Sequence, residues 1–469
     1  MLNSPSRFWK QYRKRRRGLG SDHEAGLVSH CKALYEQSGV DWEPPGGATR
    51  GLESGGLQRN ERGANSRLEA QLSEAEVRAA LRSLKNGKSA DLQGFTAELL
   101  KAGEDELVGG LVGVFNKVFE EGVFPASWNE GVLVAIFKKG YPSDYGNYRT
   151  VTVGPVLGKL YAMVLNRRIT EWAEKGSVRA QGQAGFRQGF RGTDHMLALR
   201  VLTERCGRGR NRHLFACFVD FKKAFDVVPR QKLWARLSEI GLGGKVLRSV
   251  QSMYAGVRCR VRGEGWISKE TFESNRGVKQ GCPLSPLLFG LSTDGLEELM
   301  RSSAGDPTLK GVAVPLLSFA DDVVLLSTCA EGLQKKLALL ERFSEQSGLS
   351  VNLQKTQVIV FGGQLGVQRV RNEFLYAGER VEIVSSYRGM AQRGVGDQAE
   401  RVHRVFLRGL LRVRKSALSK AVLGEFGRFP LVIKRWEQIF KFAKRVESLP
   451  CNRLAKLAFE ESREMTNIM

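Results

Sequence analysis

The sequence predicts an α+β fold in which an antiparallel sheet is backed by helices. Apolar runs of strand length and amphipathic helical patterns occur in the order strands, helices, strands, with hairpins rather than regular βαβ repeats. Residues 314–317 and 323–326 are two such runs, and they predict a β-hairpin whose turn carries Asp321 and Asp322. A third run, residues 214–219, ends at Asp220. We therefore expect acidic side chains at the ends of core strands.

Three acidic side chains at strand ends need a compensating cation if they converge. A buried carboxylate without a partner costs several kcal/mol, and neighbouring like charges add to that cost. Carboxylate oxygens are hard ligands that suit Mg²⁺. Two such ions about 3.5–4 Å apart can hold the attacking and leaving oxygens of a phosphoryl transfer. An Asp pair alone is weak evidence for such a site, because turns commonly carry solvated Asp.

Capping signals and periodicity predict the other elements. Ser73 and Glu76 have the spacing of a capping box at the start of a helix. Three longer stretches have helical periodicity, and two further apolar runs predict strands. The predicted helices cover residues 107–119, 157–172 and 331–346, and the predicted strands cover residues 132–137 and 357–361.

The composition indicates a polyanionic partner. The 469 residues include 73 Lys and Arg against 49 Asp and Glu, a formal net charge of +24. Nucleic acid is the expected partner, and an anionic membrane surface is the alternative. No apolar run has the length of a transmembrane helix, and the N-terminus lacks a secretory signal. Dispersed Cys and His residues indicate reduced thiols and no zinc site, so we expect an intracellular protein, cytoplasmic and/or nuclear.

The first 70 residues read as a basic tail followed by a flexible linker. Residues 7–17 mix basic and aromatic side chains, which could contact phosphates and stack on bases, act as a nuclear localisation patch, or be a solvated tail. Residues 44–66 are rich in Gly, Glu, Arg and Asn and predict the linker.

Seven segments resemble, in the expected order, the motifs of reverse transcriptases of non-LTR (LINE-type) retrotransposons. The palm motifs are FVDFKKAFD at 218–226, GVKQGCPLSP at 277–286, FADD at 319–322 and NLQKT at 352–356. The finger motifs are NYR at 147–149, Lys159 and QAGFR at 183–187. The resemblance implies a right-hand polymerase fold with fingers, an antiparallel palm sheet backed by helices, and a helical thumb. It places an N-terminal extension and fingers at 71–190, a palm at 191–362 within a reverse transcriptase domain at about 130–362, and a shortened thumb at 363–469.

The resemblance implies roles for four catalytic side chains. Asp220, Asp321 and Asp322 would hold two Mg²⁺ ions, with Mn²⁺ as the alternative metal. Lys355 is similar to the general acid that protonates leaving pyrophosphate, and its other interpretation is a solvated lysine before a strand.

The resemblance also implies a set of nucleotide-binding residues. Arg149 would bind the triphosphate, because its planar fork suits phosphate oxygens. Lys138 and Lys139 follow the apolar run at 132–137 and could contact the template or the triphosphate, or be solvated surface residues. Phe225 would exclude a ribose 2′-OH, or it is simply a core residue. Gln280 and Gly281 lie in a turn-rich segment where Gly allows close backbone approach to a template or base pair.

The function implied is an RNA-directed DNA polymerase that uses an RNA template, a DNA primer and dNTPs. We expect no membrane partner, and the sequence indicates no protein partner. By comparison with the family, we expect an endonuclease domain to be missing before residue 7, the C-terminal Cys/His module to be missing, and the region after residues 386–390 to be shortened. It therefore resembles an incomplete copy. The alternatives are a degenerate, non-processive relic that binds nucleic acid and an endonuclease with the same acidic site. Basic residues interleaved with aromatic ones near residues 434–445 suggest either a nucleic-acid face or an amphipathic packing helix.

Overall fold

The structure, a computed structural model, describes residues 21–36, 67–138, 140–207, 213–263, 266–301, 305–362, 373–384 and 441–467. Its α-helices are α1 Ser21–Tyr35, α2 Glu74–Ser83, α3 Ala97–Ala102, α4 Glu104–Glu121, α5 Val156–Lys175, α6 Gly192–Gly207, α7 Ala224–Val227, α8 Arg230–Glu239, α9 Gly244–Ser252, α10 Ser285–Thr293, α11 Gly295–Met300, α12 Ala330–Ser347 and α13 Leu454–Asn467. Its strands are β1 Glu130–Phe137, β2 Tyr148–Val153, β3 Leu214–Val219, β4 Arg258–Arg262, β5 Phe272–Glu273, β6 Thr308–Leu309, β7 Val312–Ala313, β8 Leu316–Phe319, β9 Asp322–Ser327, β10 Gln357–Phe361, β11 Phe374–Tyr376 and β12 Glu379–Ile383.

The chain forms two compact units, and each draws on several stretches of sequence. The described residues of the first unit come from the chain up to Ala180, from Phe221–Leu296 and from Arg342–Val351. Those of the second come from Gln181–Asp220, from Glu297–Glu341 and from Asn352 onward.

A four-stranded sheet with the order β2-β1-β4-β5 organises the first unit. β1 pairs antiparallel with β2 and parallel with β4. One face of this sheet is covered by α1, whose Leu27, Cys31 and Tyr35 are buried with Leu133 and Val261 of the strands. Helix α1 thus packs on the sheet and contributes to the hydrophobic core of the first unit.

The predicted capping box is confirmed at the start of α2. The Ser73 side chain accepts from the Glu76 backbone, and the Glu76 side chain accepts from the Ser73 backbone. The Glu76 carboxylate also accepts a hydrogen bond from Nε of the buried Arg168, with 2.6 Å between Nε and Oε1. Burial alone would raise the pKa of Glu76, but the hydrogen bonds from Arg168 and Ser73 lower that pKa to about 2. The cap therefore also fastens α2 to α5.

A six-stranded sheet with the order β11-β12-β10-β3-β9-β8 organises the second unit. The central pairs β10–β3, β3–β9 and β9–β8 are antiparallel, as predicted, whereas β12 joins β10 in parallel. Helices α6 and α13 cover one face, where Ala198, Leu202 and Ala458 are buried with Ala216 and Leu326 of the strands. An α+β unit with a helix-backed sheet is therefore what the structure contains.

The predicted elements that fall in described residues are confirmed with small changes at their ends. β3 and β10 have the predicted bounds, and the predicted helices correspond to α4, α5 and α12. The basic tail at 7–17, the linker at 44–66 and the shortened region from 386 to 430 lie outside the described residues. None of the helices in the described ranges combines the length and the apolar character that crossing a membrane requires.

Candidate active site

Strand pairing brings the three predicted carboxylates to one end of the second unit's sheet. β8 and β9 form the predicted hairpin, with Phe319 opposite Asp322, so that Ala320 and Asp321 are its two turn residues. Asp322, which was predicted in the turn, is instead the first residue of β9. β3 pairs with β9 so that Val219 lies opposite Val323. Because the pairing is antiparallel, the next residue of β3, Asp220, continues the register toward Asp322. The backbone alone therefore sets these carboxylates at adjacent strand ends.

The turn between β8 and β9 adopts a backbone conformation that few side-chain-bearing residues tolerate. Ala320 has a φ of 61°, in the left-handed region that favours glycine. Such a conformation costs of order 1 kcal/mol and persists only where the surroundings enforce it. The surroundings of Ala320 include a glutamine from outside the sheet.

Gln183 clamps the turn with its side-chain amide. Its Oε1 accepts the Ala320 N–H at 2.9 Å, and its Nε2 donates to the Ala320 carbonyl at 3.3 Å. The Gln183 side chain is buried, and its backbone forms a parallel bridge with Ser318. One amide thus satisfies both peptide groups of the residue that precedes Asp321.

Gly185 lets the segment of residues 183–187 approach the turn closely. A Cβ at Gly185 would lie 2.2 Å from the Ala320 nitrogen, a distance that no side chain can accept. The Ala184 N–H donates to the Ser318 carbonyl at 2.9 Å on the same side. The segment 183–187, which was predicted only as a finger motif, therefore also supports the turn that carries Asp321.

The charges of the three carboxylates interact. Withdrawal from water, reinforced by the negative charges of Asp321 and then of Asp220, raises the pKa of Asp322 above its usual range, although its side chain still meets solvent. Within the ranges that the structure describes, no three His, Cys, Asp or Glu side chains converge closely enough to form a finished metal cage. The three carboxylates are hard oxygen donors, and their mutual repulsion favours a divalent cation between them. Their side chains would have to move closer together to coordinate such a cation.

Lys355 lies beside Asp220. Its Nζ is 3.4 Å from Asp220 Oδ2, and the two side chains are 62% and 31% exposed. The segment before β10 wraps around Asp220, because the Asn352 N–H donates to the Asp220 carbonyl at 2.7 Å and the Asp220 N–H donates to Thr356 Oγ1 at 3.3 Å. The lysine-bearing motif is thereby held next to a predicted catalytic carboxylate.

The first unit brings two predicted nucleotide-binding residues together. Arg149 Nε donates to Gln280 Oε1 at 3.1 Å, and Arg149 is exposed on β2. Gln280 Nε2 donates to Asp226 Oδ1 at 2.6 Å, and Asp226 is buried. Tyr35 donates to the same carboxylate oxygen at 2.6 Å. Sequence reasoning did not single out Asp226 or Tyr35.

Gly281 follows Gln280 at a point of close backbone approach. Its φ is 124°, and a Cβ there would lie 2.4 Å from the Thr152 carbonyl oxygen. The Thr152 N–H donates to the Gln280 carbonyl at 2.6 Å. Gly281 therefore approaches β2 of the protein itself, and its approach to a template or base pair stays a prediction.

Phe225 and Lys138 occupy different environments in the first unit. Phe225 is buried, and its ring stacks on Phe289 with centroids 4.2 Å apart and planes at 18°. Lys138 follows β1 directly, its side chain is exposed, and its N–H donates to the Asn147 carbonyl at 2.9 Å. Phe225 thus contributes to packing, whereas Lys138 presents its charge to solvent.

Comparison with known proteins gives a family match and several relatives. Residues 136–392, more than half of the chain, match the family described as reverse transcriptase (RNA-dependent DNA polymerase). The uncharacterized 149 kDa protein of transposon TX1 from Xenopus laevis is 28% identical over 298 residues, which are 63% of this chain and 22% of that protein. The retrovirus-related Pol polyprotein of type-2 retrotransposable element R2DM from Drosophila melanogaster is 28% identical over 62% of this chain and 27% of its own length.

A third relative is named for an activity. The RNA-directed DNA polymerase of mobile element jockey from Drosophila funebris is 27% identical over 258 residues, 54% of this chain and 27% of that protein. The matched segments span less than a third of each of these three relatives.

Proposed function

The chain belongs to the reverse transcriptase family, and we propose that it is an RNA-directed DNA polymerase of a non-LTR retrotransposon. It would extend the 3′-OH of a DNA primer on an RNA template with dNTPs. One observation carries the proposal: the pairing of β3, β8 and β9 places Asp220, Asp321 and Asp322 at adjacent strand ends. That is the donor set expected for nucleotidyl transfer assisted by divalent metal ions.

The three carboxylates are proposed to hold two Mg²⁺ ions, with Mn²⁺ as the alternative. When bound, the ions lower the pKa of the primer hydroxyl and neutralise charge on the triphosphate. The backbone positions of Asp220 and Asp321 are fixed by strand pairing and by the Gln183 clamp. The partly exposed side chains can therefore turn toward the ions while their Cα atoms stay in place.

Lys355 is proposed as the general acid for leaving pyrophosphate. Its distance of 3.4 Å from Asp220 and its exposure support this role, because the ammonium group can reach both the carboxylate and a bound phosphate. Arg149, Lys138 and Gln280 are proposed to bind the triphosphate, with Gly281 and Phe225 shaping the site. Arg149 donates to Gln280 through Nε, and its two terminal amino groups carry further N–H donors that suit phosphate oxygens.

We place this chemistry in a right-hand polymerase. The fingers would be drawn from residues 71–190, the palm from 191–362 and the thumb from 363–469. The basic composition of the chain, with a net charge of +24, supports nucleic acid as its partner. The proposed location is the cytoplasm and/or the nucleus, where retrotransposon RNA and DNA targets occur.

Primer extension on an RNA template with Mg²⁺ tests the proposal. The parent chain should add dNTPs to an annealed DNA primer, and the signal should require a template and a 3′-OH. A 3′-deoxy primer and a template-free reaction are the matched controls. A folded chain that binds RNA with strong salt dependence, yet adds no nucleotide with either metal, would refute the polymerase assignment and favour the relic.

A further inference from the structure

The C-terminal end of α1 is fixed against the first unit. Leu27, Cys31 and Tyr35 are buried with the first unit's sheet. The last carbonyls of the helix are also satisfied, because Arg276 Nε donates to the Leu34 carbonyl at 2.5 Å and the Asn275 N–H donates to the Tyr35 carbonyl at 3.1 Å. A cation at a helix C-terminus is favourable. The Tyr35 ring therefore has a defined position.

The Tyr35 hydroxyl ends in a buried polar cluster. It donates to Asp226 Oδ1 at 2.6 Å and also hydrogen-bonds with the Thr150 hydroxyl. The pKa of Asp226 is raised above its usual range, because the effect of burial exceeds the opposing effects of the Tyr35 hydrogen bond, the Lys223 charge and the Gln280 hydrogen bond. A carboxylate in such a place is stable only while its hydrogen-bond donors stay in place.

Asp226 fixes which way the Gln280 amide faces. An ionised carboxylate can only accept hydrogen bonds, so the NH₂ group of Gln280 must face Asp226. The Gln280 carbonyl oxygen then faces Arg149 Nε at 3.1 Å. A flipped amide would set two acceptors against each other and two donors against each other. A continuous series of hydrogen bonds thus runs from Tyr35 to the Arg149 guanidinium.

We propose that Tyr35 and Asp226 are positioning residues for the incoming deoxynucleoside triphosphate. They act through Gln280, whose fixed amide orients Arg149 toward the phosphates, and this inference rests on the proposed function of Arg149 and Gln280. Tyr35 lies before residue 136, where the family match begins. Helix α1 is then part of the nucleotide site.

The test compares two tyrosines that differ in where their hydroxyl points. Tyr35→Phe removes the hydroxyl on Asp226. Tyr161→Phe is the matched control, because Tyr161 is fully buried in the same unit and its hydroxyl bonds to Ser249 at 3.2 Å. A hydrogen bond to a charged group supports an increase of about tenfold in KM for dTTP in Tyr35→Phe. We expect kcat within about twofold, and Tyr161→Phe should leave both constants at parental values.

A double-mutant cycle shows whether Tyr35 acts through Gln280. Gln280→Ala alone should raise KM for dTTP, and adding Tyr35→Phe to it should raise KM little further, since residues in one network are not additive. Full additivity would overturn the inference, and so would equal constants for Tyr35→Phe and Tyr161→Phe.

Equilibrium binding of dTTP separates this inference from the proposed function. If the parent binds dTTP but extends no primer, the polymerase proposal fails, and the Kd values of the same variants still decide the role of Tyr35. If the parent binds no dTTP, both proposals are overturned. Thermal unfolding of each variant checks that the binding differences arise in folded protein.

Discussion

The carboxylate end of the second unit and the Gln280 region of the first unit are built in different ways. Asp220 and Asp322 owe their places to the antiparallel register of β3, β8 and β9. Arg149 and Gln280 instead owe their orientation to side-chain hydrogen bonds that end on the buried Asp226. A site fixed by backbone pairing should be sensitive mainly to its own ligands and to Gln183, whose amide holds the turn. A site fixed by a side-chain network should also be sensitive to residues that never touch substrate.

The largest expected effect is at Asp321, where the change removes a proposed metal ligand. Asp321→Asn keeps the size of the side chain and the hairpin but replaces an anionic oxygen with a neutral amide. We expect primer extension to fall by about three orders of magnitude or more, in line with several kcal/mol of metal-assisted charge stabilisation. The rate of single-nucleotide incorporation, measured at several enzyme concentrations, gives the ratio of variant to parent activity. Activity of the variant within tenfold of the parent would contradict the metal-ligand assignment.

The second prediction asks whether backbone pairing alone fixes the carboxylate end. Gln183→Met removes the amide that satisfies both peptide groups of Ala320 and leaves a side chain of similar length. The turn, held at a φ of 61°, should then relax, because unpaired buried groups cost about 1–3 kcal/mol. We expect about a tenfold rise in the Mg²⁺ concentration that gives half-maximal extension. Calorimetric titration with Mn²⁺ should show the same weakening without any turnover.

The control for Gln183 is a buried lysine of α12 that hydrogen-bonds to the other end of the same hairpin. Lys336 is fully buried, and its Nζ donates to the Pro315 carbonyl at 3.1 Å, to the Leu326 carbonyl and to Asp306. Lys336→Met should lower the thermal midpoint at least as much as Gln183→Met does. It should leave the Mg²⁺ requirement unchanged. Equal shifts in the two variants would mean that general loosening of the hairpin, and not the clamp, sets the metal requirement.

The backbone-built region is also the one that sequence could predict. β3 and β10 have the predicted bounds, and the turn carrying Asp321 lies where two apolar runs required it. Apolar runs report burial directly, and a hairpin between adjacent runs needs no long-range information. The parallel pairing of β12 with β10 was not predicted, because the two strands are separated by residues 362–378 and nothing in the local sequence of either strand indicates its partner.

The network-built region could not be predicted in the same way. Tyr35 and Asp226 are 191 positions apart, and nothing in the local sequence of either residue indicates the partner. Gln183 belonged to a recognised motif, but its hydrogen bonds to Ala320 span 137 positions and depend on the tertiary structure. Phe225 shows a different difficulty, because one sequence position is compatible with both core packing and sugar selection.

The third prediction addresses Phe225. Phe225→Val removes a ring that stacks on Phe289. If Phe225 also borders the sugar, the space released should admit a 2′-OH and improve use of ribonucleotides relative to deoxynucleotides by about tenfold, equivalent to roughly 1.4 kcal/mol. Competing rNTP and dNTP incorporation measures the ratio. Phe289→Val is the control, since it opens the same stack from the other ring. An equal change in both variants, or in neither, would favour the core interpretation.

The smallest expected effect concerns repulsion among the carboxylates without metal. The pKa of Asp322 is raised from 3.8 by withdrawal from water and by the charges of Asp321 and Asp220. A raised pKa in the folded state means that ionisation of Asp322 disfavours folding. Its contribution is therefore most favourable below the unfolded pKa and is lost as pH rises through the folded pKa. Asp322→Asn removes this unfavourable ionisation from the folded state.

At pH 7 without metal, the Asp322→Asn variant should unfold about 1–2 °C above the parent, because solvent keeps the gain in stability to roughly 0.5 kcal/mol. The gain should disappear at pH 3 and shrink at high salt, and Mg²⁺ should raise the thermal midpoint of the parent more than that of the variant.

Asp306→Asn is the control with the opposite expected sign. Asp306 pairs with Lys336 at 2.5 Å, so loss of its charge should lower the thermal midpoint at pH 7. A lower midpoint for Asp322→Asn at pH 7 would show that the carboxylates are held apart, and that the sheet end does not gather the charge that a divalent ion would neutralise.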